Sequence, residues 1–321
     1  MSLGIGKRRC LTACSTMQGV FAILALDQRG SLRKAINPED PEGVTYETLV
    51  KFKQHVISRL APETSAVLLD PEYGTAQNIL ADTIPGSVGH IVALEETGYA
   101  GEPYARMSEI LQGWSVEKAQ KLGASGVKML VYYHPESDLA EQQRELILEV
   151  AETCRVHDLA FFLEPIVHGI DPENPKLSPD ERRETIIETA RILSQTGADI
   201  LKVEFPVDVN AQPDQAVWYE ACQELTEACA IPWVLLSAGV DYPLYLKQVV
   251  TACSAGASGI MVGRAVWKEA VGLSVDARER FLRETAIERF IKLRSVVDGL
   301  AMPWKTYYPE STVPEFWYQS Y

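Results

Sequence analysis

The chain has 321 residues, 46% of them hydrophobic and 23% charged, which is enough apolar material for a large core and shows none of the bias of a disordered or fibrous protein. A net charge of −14 and a pI near 4.9 exclude general affinity for nucleic acid or for an anionic membrane, since both need a positive surface field. Six cysteines form no Cys-x-x-Cys pair, and residues 1–9 lack the apolar core of a signal peptide, so reduced thiols in a cytoplasm are expected.

After a lead-in of about residues 1–19, short β-prone runs alternate with longer amphipathic stretches. Eight strands are expected, at Val20 to Leu26, Ala66 to Asp70, His90 to Leu94, Gly126 to Tyr132, Ala160 to Glu164, Asp199 to Phe205, Pro232 to Leu236 and Ser258 to Val262. Helical patterns fall between them at about Val44 to Leu60, Tyr73 to Ala81, Ser115 to Leu122, Leu139 to Val156, Pro179 to Gln195, Asp214 to Ala228 and Pro243 to Ala255. A last helical block covers about Ala265 to Gly299. Glycines 123, 197 and 256 follow helical patterns directly, as a helix C-cap before the next strand requires. Eight βα units without strand doublets predict a (β/α)8 barrel occupying residues 1–321 as one domain. An aromatic extension over about 300–321, with Trp304, Tyr307, Tyr308, Phe316, Trp317, Tyr318 and Tyr321, is expected to pack on the barrel wall, or else to form a subunit contact.

In such a barrel, reactive groups gather where strands end. Lys202 stands inside an apolar strand, where an ammonium is costly to bury. It is therefore either neutralised by a carboxylate for structural reasons or tuned as a nucleophilic amine. Tuning matters, because at pH 7 a lysine of pKa about 10.4 is neutral only about 0.04% of the time. Lys128, within the fourth strand, would be a second ammonium that disfavours protonation of Lys202. Glu204 shares a strand face with Lys202 and could hold it as an ion pair. Glu164 could shuttle protons or merely balance charge. Ser237 and Gly239 after the seventh strand, with Gly263 and Arg264 after the eighth, suit a phosphate dianion. His134 and His168 could meet above adjacent strands, but no metal-ligand spacing, dinucleotide loop, Walker loop or nucleophile elbow occurs, and no cofactor is expected.

Leu26-Asp27-Gln28-Arg29-Gly30, Asp70-Pro71-Glu72-Tyr73-Gly74, Glu96-Thr97-Gly98-Tyr99, Val127-Lys128, Phe162-Leu163-Glu164, Leu201-Lys202-Val203-Glu204, Ser237-Ala238-Gly239 and Gly263-Arg264 occur together in an order that resembles the tagatose 1,6-bisphosphate aldolase family. The resemblance implies a metal-independent class I aldolase that acts on a sugar phosphate and assembles as a homo-oligomer. It matches Lys202 to the Schiff-base lysine, Glu164 to the proton-transfer residue and Lys128 to the accessory lysine. Asp27, Gln28 and Arg29 fall in the substrate-facing segment, and Ser237, Gly239, Gly263 and Arg264 match the phosphate loops. Two departures, His134-Pro135 after the paired tyrosines and Glu95-Glu96 before Thr97, leave the ketose open. A sulfofructose phosphate is the alternative substrate; a metal-dependent aldolase, a phosphosugar isomerase or a silent sugar-phosphate sensor is the alternative function.

Overall fold

The computed structural model describes residues 3–97, 100–309 and 312–319. All eight expected strands form: β1 Phe21–Leu26, β2 Ala66–Leu69, β3 Gly89–Ala93, β4 Gly126–Tyr133, β5 Ala160–Val167, β6 Ile200–Val203, β7 Trp233–Leu236 and β8 Gly259–Val262. They pair in parallel and close into a ring ordered β1-β8-β7-β6-β5-β4-β3-β2, a (β/α)8 barrel.

The period of two along each strand sorts the side chains. Leu24, Val67, Val127, Leu163, Leu201, Leu235 and Val262 point outward into the layer shared with the helices. Phe21, Ile23, Leu68, Phe162, Ile200, Val234 and Met261 point inward and fill the lower barrel. Continuing with the same parity toward the strand ends brings Asp27, Lys128, Glu164 and Lys202 into the upper interior. On β1, β5 and β6 the inward face thus passes from hydrocarbon to charge within two residues.

The helices follow local signals. The helix Pro179–Leu193 begins with a reciprocal cap, in which Ser178 Oγ accepts from Glu181 N and the Glu181 carboxylate accepts from Ser178 N, with proline at the first helical position. Gly123, Gly197 and Gly256 have φ of 90°, 88° and 109°, the left-handed conformation expected of them after their helices.

Four features depart from the sequence expectations. The lead-in contains a helix, Ile5–Cys14, whose Leu11 and Cys14 close the barrel floor and whose Lys7 Nζ lies 2.8 Å from Asp199 Oδ2. A short helix, Gly30–Ile36, follows β1. A hairpin of Ala100–Glu102 and Ala105–Met107 follows β3. The block from Ala265 to Gly299 is broken: Ser274 caps a new helix at Val275–Phe281, and a π turn at Leu282–Ala286 precedes the helix Ile287–Leu300.

The aromatic extension divides. Trp304 and Tyr308 are buried against the floor, where Trp304 Nε1 donates to Ser15 Oγ and Tyr308 OH to the Asp199 carbonyl. Phe316, Trp317 and Tyr318 are exposed, and Tyr321 lies outside the described residues.

His90 on β3 is buried, its Nε2 has no hydrogen-bond partner among the described residues, and burial pulls its pKa down to about 4. The unfolded chain, with an ordinary imidazole near about 6.5, therefore binds the proton first as pH falls, so acid favours unfolding through this group. Stability should drop by about 3 kcal/mol between pH of about 6.5 and 4 on this account. Urea melts across that range should show the slope in the native chain and its flattening in His90→Leu.

Candidate active site

The upper barrel holds a cavity of about 430 Å³ whose walls include Asp27, Gln28, Arg29, Lys128, Glu164, Lys202, Ser237, Gly263 and Arg264. Of the residues expected at a site only Gly239 is absent from the wall, and it backs Arg264: a Cβ there would meet the guanidinium carbon at 3.1 Å. The fold thus brings nine of the ten expected residues into the wall of one cavity.

At its centre the Glu164 carboxylate bridges two lysines, with Oε1 at 2.8 Å from Lys202 Nζ and Oε2 at 2.7 Å from Lys128 Nζ. All three side chains are buried. Lys202 is thus paired with a carboxylate, that of Glu164, and it lines the cavity. Glu204, on the same strand face as Lys202, also lines the cavity, but its carboxylate is engaged elsewhere: it accepts from Arg182 at 3.1 Å and from Val167 N at 3.1 Å.

Lys128 takes three carboxylates at once. Asp27 Oδ2 lies at 3.0 Å and Glu95 Oε1 at 2.6 Å, in addition to Glu164. Burial disfavours its ammonium, but Asp27, Glu164 and Glu95 outweigh that and hold its pKa well above the usual lysine range. Burial likewise pushes Asp27 up, and the two lysines pull it below the usual carboxylate range. Lys128 is accordingly a fixed positive charge beside the Lys202 and Glu164 pair.

Glu95, noted in the sequence only as part of the Glu95-Glu96 departure, is a partner of Lys128. Its Oε2 accepts from Leu130 N at 3.1 Å and its carbonyl from Arg29 Nη2 at 2.5 Å. Arg29 is buried in the cavity wall and its Nη1 donates to Glu72 at 2.9 Å, so its guanidinium ties loops together there. Behind the cavity, Lys53 is fully buried, pairs with Asp70, and donates to the Leu26 and Gln28 carbonyls at 2.8 and 2.9 Å. It fixes the turn from which Asp27 and Gln28 enter the site. Asp27 Oδ1 and Gln28 Oε1 are buried in the cavity wall with no hydrogen-bond partner among the described residues. Two orphan acceptors at one rim suit the hydroxyls of a polyol.

Two strands away around the ring, residues Ser237 to Val240 make a tight turn, closed by Val240 N donating to the Ser237 carbonyl, with Ala238 and Gly239 both at positive φ. Ser237 Oγ accepts from Gly263 N at 3.4 Å, which joins the turn to the end of β8. His134 and His168 do meet above β4 and β5, with ring centroids 6.3 Å apart, outside the cavity wall. Of the expected motif residues, Gly98 and Tyr99 lie outside the described residues.

A model of the DeoC/LacD family of aldolases matches residues 21–269. The chain is 32% identical to a tagatose 1,6-diphosphate aldolase 2 of Enterococcus faecalis, with 95% of this chain and 97% of that one covered. It is 30% identical to a tagatose 1,6-diphosphate aldolase 1 of Streptococcus mutans, covering 95% and 99% respectively. In fold it is similar to a Schiff-base-forming fructose 1,6-bisphosphate aldolase, with TM-score 0.61, 23% identity, and 91% and 99% of the two chains covered.

Removing Lys128 leaves three buried carboxylates facing one remaining ammonium. Lys128→Met should therefore lose about 3–5 kcal/mol of stability at neutral pH. The raised Lys128 keeps its contribution below its unfolded pKa of about 10.4 and loses it only as pH climbs further, while the lowered Asp27 loses its own as pH falls below about 4. The gap between variant and native chain should thus be widest between those limits and narrow in acid; equal urea midpoints at neutral pH would contradict the charge cluster.

Proposed function

This chain belongs to the DeoC/LacD family of aldolases, and on that premise we propose that it cleaves a ketose 1,6-bisphosphate, tagatose 1,6-bisphosphate favoured, through a Schiff base on Lys202. The observation that carries the proposal is the Lys202 amine 2.8 Å from Glu164 inside a cavity large enough for a sugar phosphate.

The chemistry follows from the contacts. Glu164 accepts a proton from Lys202, and the neutral amine attacks the C2 carbonyl. Glu164 returns that proton to the carbinolamine hydroxyl, which leaves as water to give an iminium and an ionised Glu164. Glu164 then takes the proton of the C4 hydroxyl as the C3–C4 electron pair moves into the iminium, which releases glyceraldehyde 3-phosphate and leaves an enamine. Protonation at C3 and hydrolysis free dihydroxyacetone phosphate and restore the lysine. Lys128, held charged, stabilises the Glu164 carboxylate between its proton transfers. Asp27 and Gln28 receive substrate hydroxyls, and Arg264 with the Ser237 turn holds a terminal phosphate. A sulfofructose phosphate would pass through the same steps.

The same reading extends to assembly and location: a homo-oligomer in the cytoplasm, to which six free thiols and the exposed rings of Phe316, Trp317 and Tyr318 are suited. Among the described residues no helix is long and apolar enough to cross a membrane.

Borohydride added with dihydroxyacetone phosphate should leave a covalent adduct on Lys202. Lys202→Ala should abolish both adduct and cleavage, and undiminished cleavage in that variant would refute the mechanism. Glu164→Gln should still be trapped while kcat falls by about 10²–10⁴-fold. Saturable binding of ketose phosphates without turnover would instead mark a sensor.

A further inference from the structure

A bisphosphate has two anionic ends, and the Ser237 and Arg264 loops supply a partner for only one. In a ring of eight strands β8 stands opposite β4 and β7 opposite β3, so the mirror position of that phosphate lies over the loops after β3 and β4. There, on the hairpin that follows β3, Arg106 stacks on Tyr132, its guanidinium carbon 4.7 Å from the ring centroid. Tyr132 is itself part of the cavity wall. The His168 ring meets the same tyrosine edge-on at 6.4 Å, with His134 beyond it. The placement is built: Gln143 Nε2 donates to the carbonyls of both Arg106 and Tyr132, at 3.0 and 3.2 Å, and locks the hairpin to the end of β4. In a chain of net charge −14, Arg106 forms no ion pair among the described residues.

The reaction fixes which end is which. The carbonyl attacked by Lys202 is next to C1, and Lys202 on β6 is closer around the ring to β7 and β8 than to β3, so the C1 phosphate belongs to Arg264 and the far end of the chain points toward Arg106. We propose that Arg106, seated on Tyr132 with His168 beside it, binds the tetrahedral oxyanion on C6 and so sets the preference for substrates charged at both ends. This rests on the aldolase reading above. Phosphate and sulfonate present the same three-oxygen face to a guanidinium fork.

The test compares the native enzyme, Arg106→Ala and Arg106→Lys on tagatose 1,6-bisphosphate, sulfofructose 1-phosphate and tagatose 1-phosphate, with borohydride trapping of dihydroxyacetone phosphate alongside. Loss of a charged hydrogen-bond donor should lower kcat/KM for the doubly charged substrate by roughly ten- to hundred-fold, mainly through KM. Tagatose 1-phosphate cleavage and trapping should not change, and lysine should restore part of the loss. A deficit confined to the bisphosphate identifies the C6 anion as phosphate, and one confined to the sulfonate identifies sulfonate. Equal losses on all three substrates, or none, would overturn the subsite while leaving the Schiff base intact. A native enzyme that is not trapped would overturn the aldolase reading and the subsite with it.

Discussion

The site depends on one carboxylate being shared by two buried amines. Desolvating Glu164, Lys202 and Lys128 together costs more than any single contact among them returns, and the arrangement persists because each charge finds a partner within 3 Å. The sharing is unequal. Lys128 is bound by Asp27 and Glu95 as well, whereas Lys202 has Glu164 alone among the ion pairs of the described residues. On the proposed mechanism the better-held lysine supplies field, and the less-held one is the amine that reacts. Identity of side chain does not distinguish the two amines; the number of acids around each does.

The barrel makes that asymmetry possible through parity and depth. Inward-facing positions on β4, β5 and β6 rise through Phe162 and Ile200 to Lys128, Glu164 and Lys202, so the charged level rests on a packed hydrocarbon level that excludes water from below. Lys53 and Asp70, outside the cavity, anchor the turn after β1 by hydrogen bonds to backbone carbonyls. Positioning is thereby delegated to groups outside the cavity, which leaves Asp27 Oδ1 and Gln28 Oε1 without hydrogen-bond partners among the described residues.

Much of this could be read in the chain beforehand, because strands buried on both faces are continuous apolar runs and a lysine within one is conspicuous. The polar residues just past such runs, from Asp27 to Arg264, are the ones that the fold gathers around one cavity. What stayed hidden depends on register or on distant contacts. Glu95 looked like half of an acidic doublet; it becomes a ligand of Lys128 only because Ala93 pairs with Lys128, which sets Glu95 beside Leu130. Lys53, in the middle of an amphipathic helix, was indistinguishable from a solvated lysine until the helix docked over Asp70. Three-residue strands such as Ala105–Met107 are too short for alternation to show, so the hairpin carrying Arg106 left no pattern. The basic helix Ile5–Cys14 has a weak apolar stripe, and its burial is decided by the opening it covers.

That opening has a consequence for how the molecule is made. The floor is sealed by groups remote along the chain: the Trp304 indole reaches Ser15, 289 positions away, and the ring itself closes only when β8 meets β1. A nascent chain translated as far as β7 has a seam with unpaired backbone on both sides and an apolar well open at its base. Such a species must either wait or stick to its neighbours, so slow synthesis through residues 237–304 lengthens exposure to chaperones and to aggregation alike.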